Sequence, residues 1–246
     1  MDFTAPTADQ VLAIRVNAGI DELAAHPRFA AASPDMVEAI VEGIGQFAAG
    51  EFAPLNRKGD LEGAKLANGT VTLPDGFAAA YRAYVEQGWN AVAGEEAHGG
   101  QGLPFTLAAN VLENLGAANM AFSLLPMLTV GAIEALAHHG SPAQQALYLP
   151  RLVSGEWSGT MNLTEPQAGS DVGALRTTAT PRGDGTWAIK GTKIYITWGE
   201  HDLAGNIIHL VLARTPGAPA GSRGISLFVV LKYHVKPDGS LGPRND

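Results

Sequence analysis

The chain has 246 residues, 46% of them hydrophobic and 16% charged, with a net charge of −8 and no cysteine. This composition suits a globular protein of one large or two ordinary domains with a real core, and the acidic balance argues against a nucleic-acid binder, which needs a basic face. The missing cysteine excludes disulfides, thiolate metal sites and cysteine nucleophiles, and fits a reducing, cytoplasmic setting.

Residues 1–10 have no basic stretch followed by an apolar core, so they do not read as a secretory signal. Residues 1–33 are a poorly defined lead-in with one expected helix over 11–23. Ser33-Pro34 then gives a helix start, Ser as N-cap and Pro in the first turn. Val37, Ile40, Val41, Ile44, Phe47 and Ala48 follow on one helical face, and Pro54 is expected to end that helix. Residues 55–74 read as a long polar connection. Phe77, Tyr81, Tyr84 and Val85 restore the helical period until Gly88. Leu107, Val111, Leu112 and Leu115 mark another amphipathic helix, and residues 118–138 a strongly apolar one. The apolar run over 120–137 is interrupted by Ser123, Pro126, Thr129 and Glu134, so a buried helix suits it better than a membrane span. Ser141-Pro142-Ala143-Gln144 is a capping box that opens a helix to about Tyr148, limited by Pro150.

After Gly155 the texture changes to short β-type runs at 177–179, 187–189, 194–197, 207–213 and 225–231, the first two joined by a hairpin-like turn. Helices first and strands afterwards predict an α+β chain. It has an all-α domain over 1–157 and an antiparallel β-barrel or sandwich domain over 158–246. The last six residues carry no recognisable closing element, so the β domain is expected to be incomplete.

Of the chemistry-bearing patterns, most are weak. The seven histidines do not fall at metal-ligand spacing, so no metal is expected. No Gly-x-Ser-x-Gly elbow surrounds a serine. Gly99-Gly100-Gln101-Gly102 lacks the third glycine and the preceding strand of a dinucleotide fingerprint. The informative stretch is residues 161–173, MNLTEPQAGSDVG, an apolar run that passes into a loop of small residues. Glycines let backbone N–H groups approach a ligand closely, and Thr164 and Ser170 add hydroxyls. Glu165, ahead of Pro166, reads as a structural turn carboxylate rather than a base; Trp157 and Trp187 read as packing residues.

The stretch from Thr164 to Asp171 resembles the Thr-Glu-Pro-x-Ala-Gly-Ser-Asp signature of the acyl-CoA dehydrogenase family. Three further segments extend the resemblance over roughly residues 35–235. Residues 95–103 are similar to a Glu-Glu-Tyr-Gly-Gly-type segment, with His98 at the tyrosine position, and residues 141–156 to the helix that precedes the signature. Residues 190–197 are similar to a second flavin segment, with Tyr195 at the usual Trp position and Trp198 at the usual Asn position. Asn119–Ser123 and Gly199–Leu203 resemble the family's large dehydrogenases, those similar to methylmercaptopropionyl-CoA dehydrogenase.

The resemblance implies FAD as cofactor and an acyl-CoA as substrate, with electron-transfer flavoprotein or a similar acceptor and a homo-oligomeric assembly. It places Met161, Leu163 and Thr164 at the polar edge of the flavin ring, Thr197 near the reactive N5, and Tyr195 and Ile196 beside the ring. Gly169 and Ser170 fall by the ribityl-phosphate or thioester side, Ser170 also as a substrate contact, and residues 118–133 help to wall the acyl cavity. The family's catalytic glutamate lies in a C-terminal helical domain that no segment here resembles, so no catalytic residue is expected in this span. Two alternatives stand beside the dehydrogenase: a non-catalytic flavin-binding or assembly partner of a complementary subunit, and an acyl-CoA oxidase.

Overall fold

The computed structural model describes residues 3–236 and 238–245. Two helices, α1 (Thr7–Val16) and α2 (Ile20–Ala24), stand where a single one was expected, because Gly19 turns left-handed at φ 60° between them. α3 (Pro34–Phe47) starts as its sequence requires: Ser33 Oγ accepts the Met36 amide at 3.3 Å. Pro54 does not end this helical run. A π-turn over Ala48–Phe52 leads into α4 (Ala53–Glu62), with Pro54 in the first turn, where its missing N–H costs no helical bond. The expected long connection is therefore mostly α4 and a small hairpin, β1 (Lys65–Ala67) and β2 (Thr70–Thr72), which turns at left-handed Asn68-Gly69. The helical half is thus not all-α.

α5 (Phe77–Glu86), α6 (Phe105–Ala118), α7 (Met120–His139) and α8 (Pro142–Val153) complete the helices. The capping box of α8 forms in both directions. Pro150 sits inside α8 instead of ending it, since burial of Leu149, Leu152 and Val153 on the last turn outweighs one lost hydrogen bond. Phe47, Phe52, Phe77, Tyr84 and Phe122 form an aromatic core, with Phe52 and Phe122 stacked at 4.2 Å. α7 is long and apolar enough to cross a membrane by composition. Here it buries Phe122, Leu125, Thr129, Ala132, Ile133 and Leu136.

The β-rich half follows, and the chain is a helical domain succeeded by a β domain, as expected. β3 (Trp157–Asn162), β6 (Asn206–Ala213) and β7 (Ser226–Leu231) form one sheet in the order β3-β6-β7; β4 (Thr178–Pro181) pairs with β5 (Trp187–Lys190), and β8 (Tyr233–Val235) with β9 (Leu241–Arg244). Two features differ from expectation. The β3–β6 pair is parallel, since a long excursion through the β4–β5 hairpin separates them, whereas β6–β7 is antiparallel. And the terminal residues do carry a strand: β9 closes on β8 despite its Gly-Pro content.

The two halves meet where α7 lies across β3. A Cβ on Gly159 would stand 2.3 Å from that of Ala132, so only glycine lets strand and helix approach this closely. Thr129 Oγ1 accepts the Gly159 amide at 3.1 Å across the same seam. The alternation of β3 puts Trp157, Gly159 and Met161 on this face and Ser158, Thr160 and Asn162 on the other.

Candidate functional site

The site forms where β3 ends and the loop of residues 163–175 begins. The Ile194 amide donates to the Thr164 carbonyl at 2.9 Å. Lys193 Nζ reaches the Leu163 carbonyl at 3.0 Å, and Thr160 Oγ1 donates to the Thr197 carbonyl at 2.7 Å. These bonds bring the two expected flavin segments side by side. Residues 194–197, expected as a strand, form a turn instead. Tyr195 and Trp198 take left-handed φ of 56° and 54°, which no run of extended backbone accommodates.

The turn has two opposite faces. Tyr195 is 90% exposed and Thr197 is exposed, with its carbonyl committed to Thr160 and its side chain towards solvent. Ile196 is half-buried between them. Trp198, at the position where the family usually has Asn, turns the other way. Its indole donates to the Ala121 carbonyl at 2.9 Å and packs on Phe122, so it joins the turn to the start of α7.

Glu165 is the electrostatic centre of the signature loop. Its carboxylate, 3% exposed, accepts the Arg176 amide at 2.7 Å, the Thr177 amide at 3.0 Å and the Gln167 amide group at 2.6 Å, and pairs with Lys193 Nζ at 2.9 Å. Burial alone would raise its pKa; the bonds from Thr177, Arg176 and Lys193 overrule that and hold it at about 2. It stays ionised and fully engaged, so it is a structural turn carboxylate, as read from its place before Pro166. Its own backbone closes the turn by exchanging both bonds with Ala168. Arg214 fixes the far end, donating to the carbonyls of Gly173, Leu175, Pro219 and Gly221.

Gly169 and Ser170 lie past that turn, exposed, with no bond to the 194–198 turn among the described residues. A Cβ on Gly169 would meet no atom within 4 Å. The chain's own packing therefore does not demand glycine there. Met161 is half-buried on the α7 face of β3. Trp157 is buried as expected, while Trp187 is 40% exposed and meets Phe228 edge-on.

Beneath the turn, two histidines face the polar side of β3. His201 Nε2 is 2.9 Å from Ser158 Oγ, and both residues are fully buried. His209 Nδ1 is 3.3 Å from Asn162 Oδ1. Burial, aided by the nearby Lys232 charge and opposed by Glu200, lowers both to about 4, so both rings are neutral near pH 7. Sequence reasoning did not single out Lys193, Arg214 or His201. For Lys193 there was a signal: a carboxylate buried in a turn needs a cationic or amide partner close by. For Arg214 and His201 there was none: the partners of Arg214 are backbone carbonyls, and His201 meets Ser158, 43 residues away, only through the fold.

An exposed aromatic ring and two Thr residues flank a strand end here, beside a glycine free of internal packing. This donor set fits a planar cofactor with a polar edge, as FAD presents.

Residues 34–156 match the family model of the acyl-CoA dehydrogenase N-terminal domain, and residues 160–242 that of the acyl-CoA dehydrogenase middle domain. The chain is 49% identical over 245 residues to 3-methylmercaptopropionyl-CoA dehydrogenase of Ruegeria pomeroyi, covering 100% of this chain and 42% of that protein. A butyryl-CoA dehydrogenase of Syntrophomonas wolfei is 40% identical over 79% of this chain and 32% of its own length. Among solved structures, an acyl-CoA dehydrogenase from Geobacillus kaustophilus aligns with a TM-score of 0.64 at 27% identity, over 79% of this chain and 47% of the other. The chain spans less than half the length of the curated relatives it matches. Its two halves match two consecutive domains of one family in that family's order, and the chain belongs to the acyl-CoA dehydrogenase family.

Proposed function

We propose that this chain is the N-terminal portion of an FAD-dependent acyl-CoA dehydrogenase that oxidises an acyl-CoA to the trans-2-enoyl-CoA. The observation that carries the reading is the joining of the signature loop to the 194–198 turn by the Ile194–Thr164, Lys193–Leu163 and Thr160–Thr197 bonds. Thr164 and Thr197 then offer hydroxyls, and Leu163 backbone, to the polar edge of the flavin ring. Met161 meets the same edge, and Tyr195 and Ile196 lie beside the ring. Gly169 and Ser170 take the phosphate or thioester side.

A flavin held by these residues would supply the hydride acceptor for the β-hydrogen of the acyl-CoA, while a carboxylate would take the α-proton, so that both C–H bonds break as the C=C bond forms. Glu165 is unsuited to that second task. A base works best with its pKa near the working pH, and Glu165 is held at about 2 with its oxygens already engaged. The family resemblance places the base in a C-terminal helical domain, outside this span. Electron-transfer flavoprotein or a similar acceptor takes the electrons, and the working form is a homo-oligomer; both follow from the family resemblance.

The test is turnover by the full-length protein given an acyl-CoA and an artificial electron acceptor, with release of the enoyl product. Bound flavin without turnover would favour the assembly-partner reading. Oxygen consumption without any other acceptor would make the protein an oxidase.

A further inference from the structure

The segment after the turn, residues 198–203, ties together elements from both halves of the molecule. Its centre is His201, which no surface touches. The ring's protonation pattern is fixed by its partners. Nδ1 lies 3.1 Å from the Leu203 amide, which can only donate, so Nδ1 carries no proton. Nε2 then holds the hydrogen and donates it to Ser158 Oγ on β3.

The same ring stands edge-on to the Trp198 indole, 5.5 Å between centroids at 77°. Its backbone carbonyl accepts Lys232 Nζ at 2.9 Å. Lys232 also pairs with Glu200, which Arg244 engages at 2.8 Å. Trp198 and Tyr195 both sit in the left-handed region, which non-glycine residues occupy only when their surroundings impose it. Three contacts impose it here: the Ala121 carbonyl on the indole nitrogen, the Thr160 hydroxyl on the Thr197 carbonyl, and the His201 ring on the indole face. Thr160 ties the turn to β3 through the Thr197 carbonyl, and His201 ties it to β3 through the Trp198 ring and Ser158. Among the described residues no bond or ring contact joins His201 to a residue assigned to the flavin rim, so its effect passes through Trp198.

We infer that His201 is a positioning residue: held in its Nε2–H form by Ser158 and the Leu203 amide, it sets the 195–198 turn in the shape that meets the flavin. This rests on the FAD reading above, so the test separates the two. The full chain is prepared as wild type, His201→Leu, His201→Gln and Ser158→Ala. Glutamine offers an N–H to Ser158 and an oxygen to Leu203; leucine offers neither. Hydrogen exchange of the amides of residues 194–199, measured without flavin, reads the turn directly. FAD titration reads affinity and the flavin absorption band.

We expect His201→Leu to speed exchange in residues 194–199 at least tenfold over the molecule's average change. It should weaken FAD binding at least tenfold and shift the flavin band. His201→Gln should restore most of both, and Ser158→Ala should fall between. If His201→Leu lowers Tm but leaves local exchange, FAD affinity and flavin band as in wild type, the inference is wrong. If His201→Leu does not fold, equal behaviour of Ser158→Ala and wild type in exchange and flavin band overturns it equally. If wild type takes up no FAD while exchange in the turn responds to His201, the positioning role stands and the FAD reading falls.

Discussion

At the residue scale, the chemistry of the loop turns on how burial and hydrogen bonds compete at single groups. Glu165 has a folded pKa near 2 against 4.5 when unperturbed. A depressed carboxylate contributes stability that is fully present above the unfolded value and is lost as pH falls from 4.5 towards 2, here about 3 kcal/mol. His201 and His209 also have depressed values, about 4 against 6.5. The unfolded chain binds their protons first, so stability falls from pH 6.5 down to about 4. Acid unfolding should therefore have two components in separate windows. Glu165→Gln should shrink only the lower one, which Glu200 also feeds, and cost about 2–4 kcal/mol at pH 7, because it strands Lys193 and two amides. Denaturant midpoints measured from pH 3 to 8 for both proteins check this; an unchanged low-pH limb would contradict the assignment. The turn role of Glu165 was legible from the Pro that follows it. That a buried turn carboxylate needs a cationic or amide partner was legible as well, but that the cation is Lys193, 28 residues away, was not, because loop-to-loop pairing leaves no periodic trace.

At the element scale, regular segments were legible and irregular ones were not. The Ser33 and Ser141 caps, the α5 and α6 faces and the β4–β5 hairpin follow from local patterns, and each forms as its residues dictate. Pro54 and Pro150 misled in opposite settings for one reason: a proline costs little where its N–H had no partner or where neighbouring side chains are deeply buried. Residues 194–197, IYIT, have strand composition, yet bonds from Thr160 and to Thr164 bend them into a turn. Parallel pairing of β3 with β6 is likewise a long-range choice that alternation does not encode. The seam between α7 and β3 gives an element-scale prediction. Gly159→Ala should cost about 1–3 kcal/mol by overpacking against Ala132. Ala132→Gly in the same chain should recover most of it, since the next atoms around the added methyl stand 3.5 Å and more away. Thermal unfolding of the four proteins of that cycle decides it, and purely additive losses would rule the seam contact out as the cause.

At the scale of the whole molecule, the signature loop and the 194–198 turn face solvent. Tyr195 is 90% exposed, and Thr197, Gly169 and Ser170 are exposed with it. Large apolar surface of that kind in a ligand site is normally enclosed, because small-molecule sites bury roughly 70–90% of the ligand. The curated relatives are more than twice as long as the stretch matched here, which covers 42% of the nearest in identity among those named above. Enclosure of the ring and the proton-abstracting carboxylate are both properties of that longer chain under the proposed function. The 246 residues alone should therefore fold, with the aromatic core of α3, α5 and α7 intact, yet bind FAD at least a hundredfold more weakly than the full-length protein, about 3 kcal/mol or more in binding free energy. They should also show no acyl-CoA-dependent reduction of an artificial acceptor. Equilibrium titration of both proteins with FAD, followed by flavin fluorescence, measures the first difference, and dye reduction the second. A yellow 246-residue protein that reduces the dye would place both the enclosure and the base within this span, and would reopen the search for a carboxylate other than Glu165.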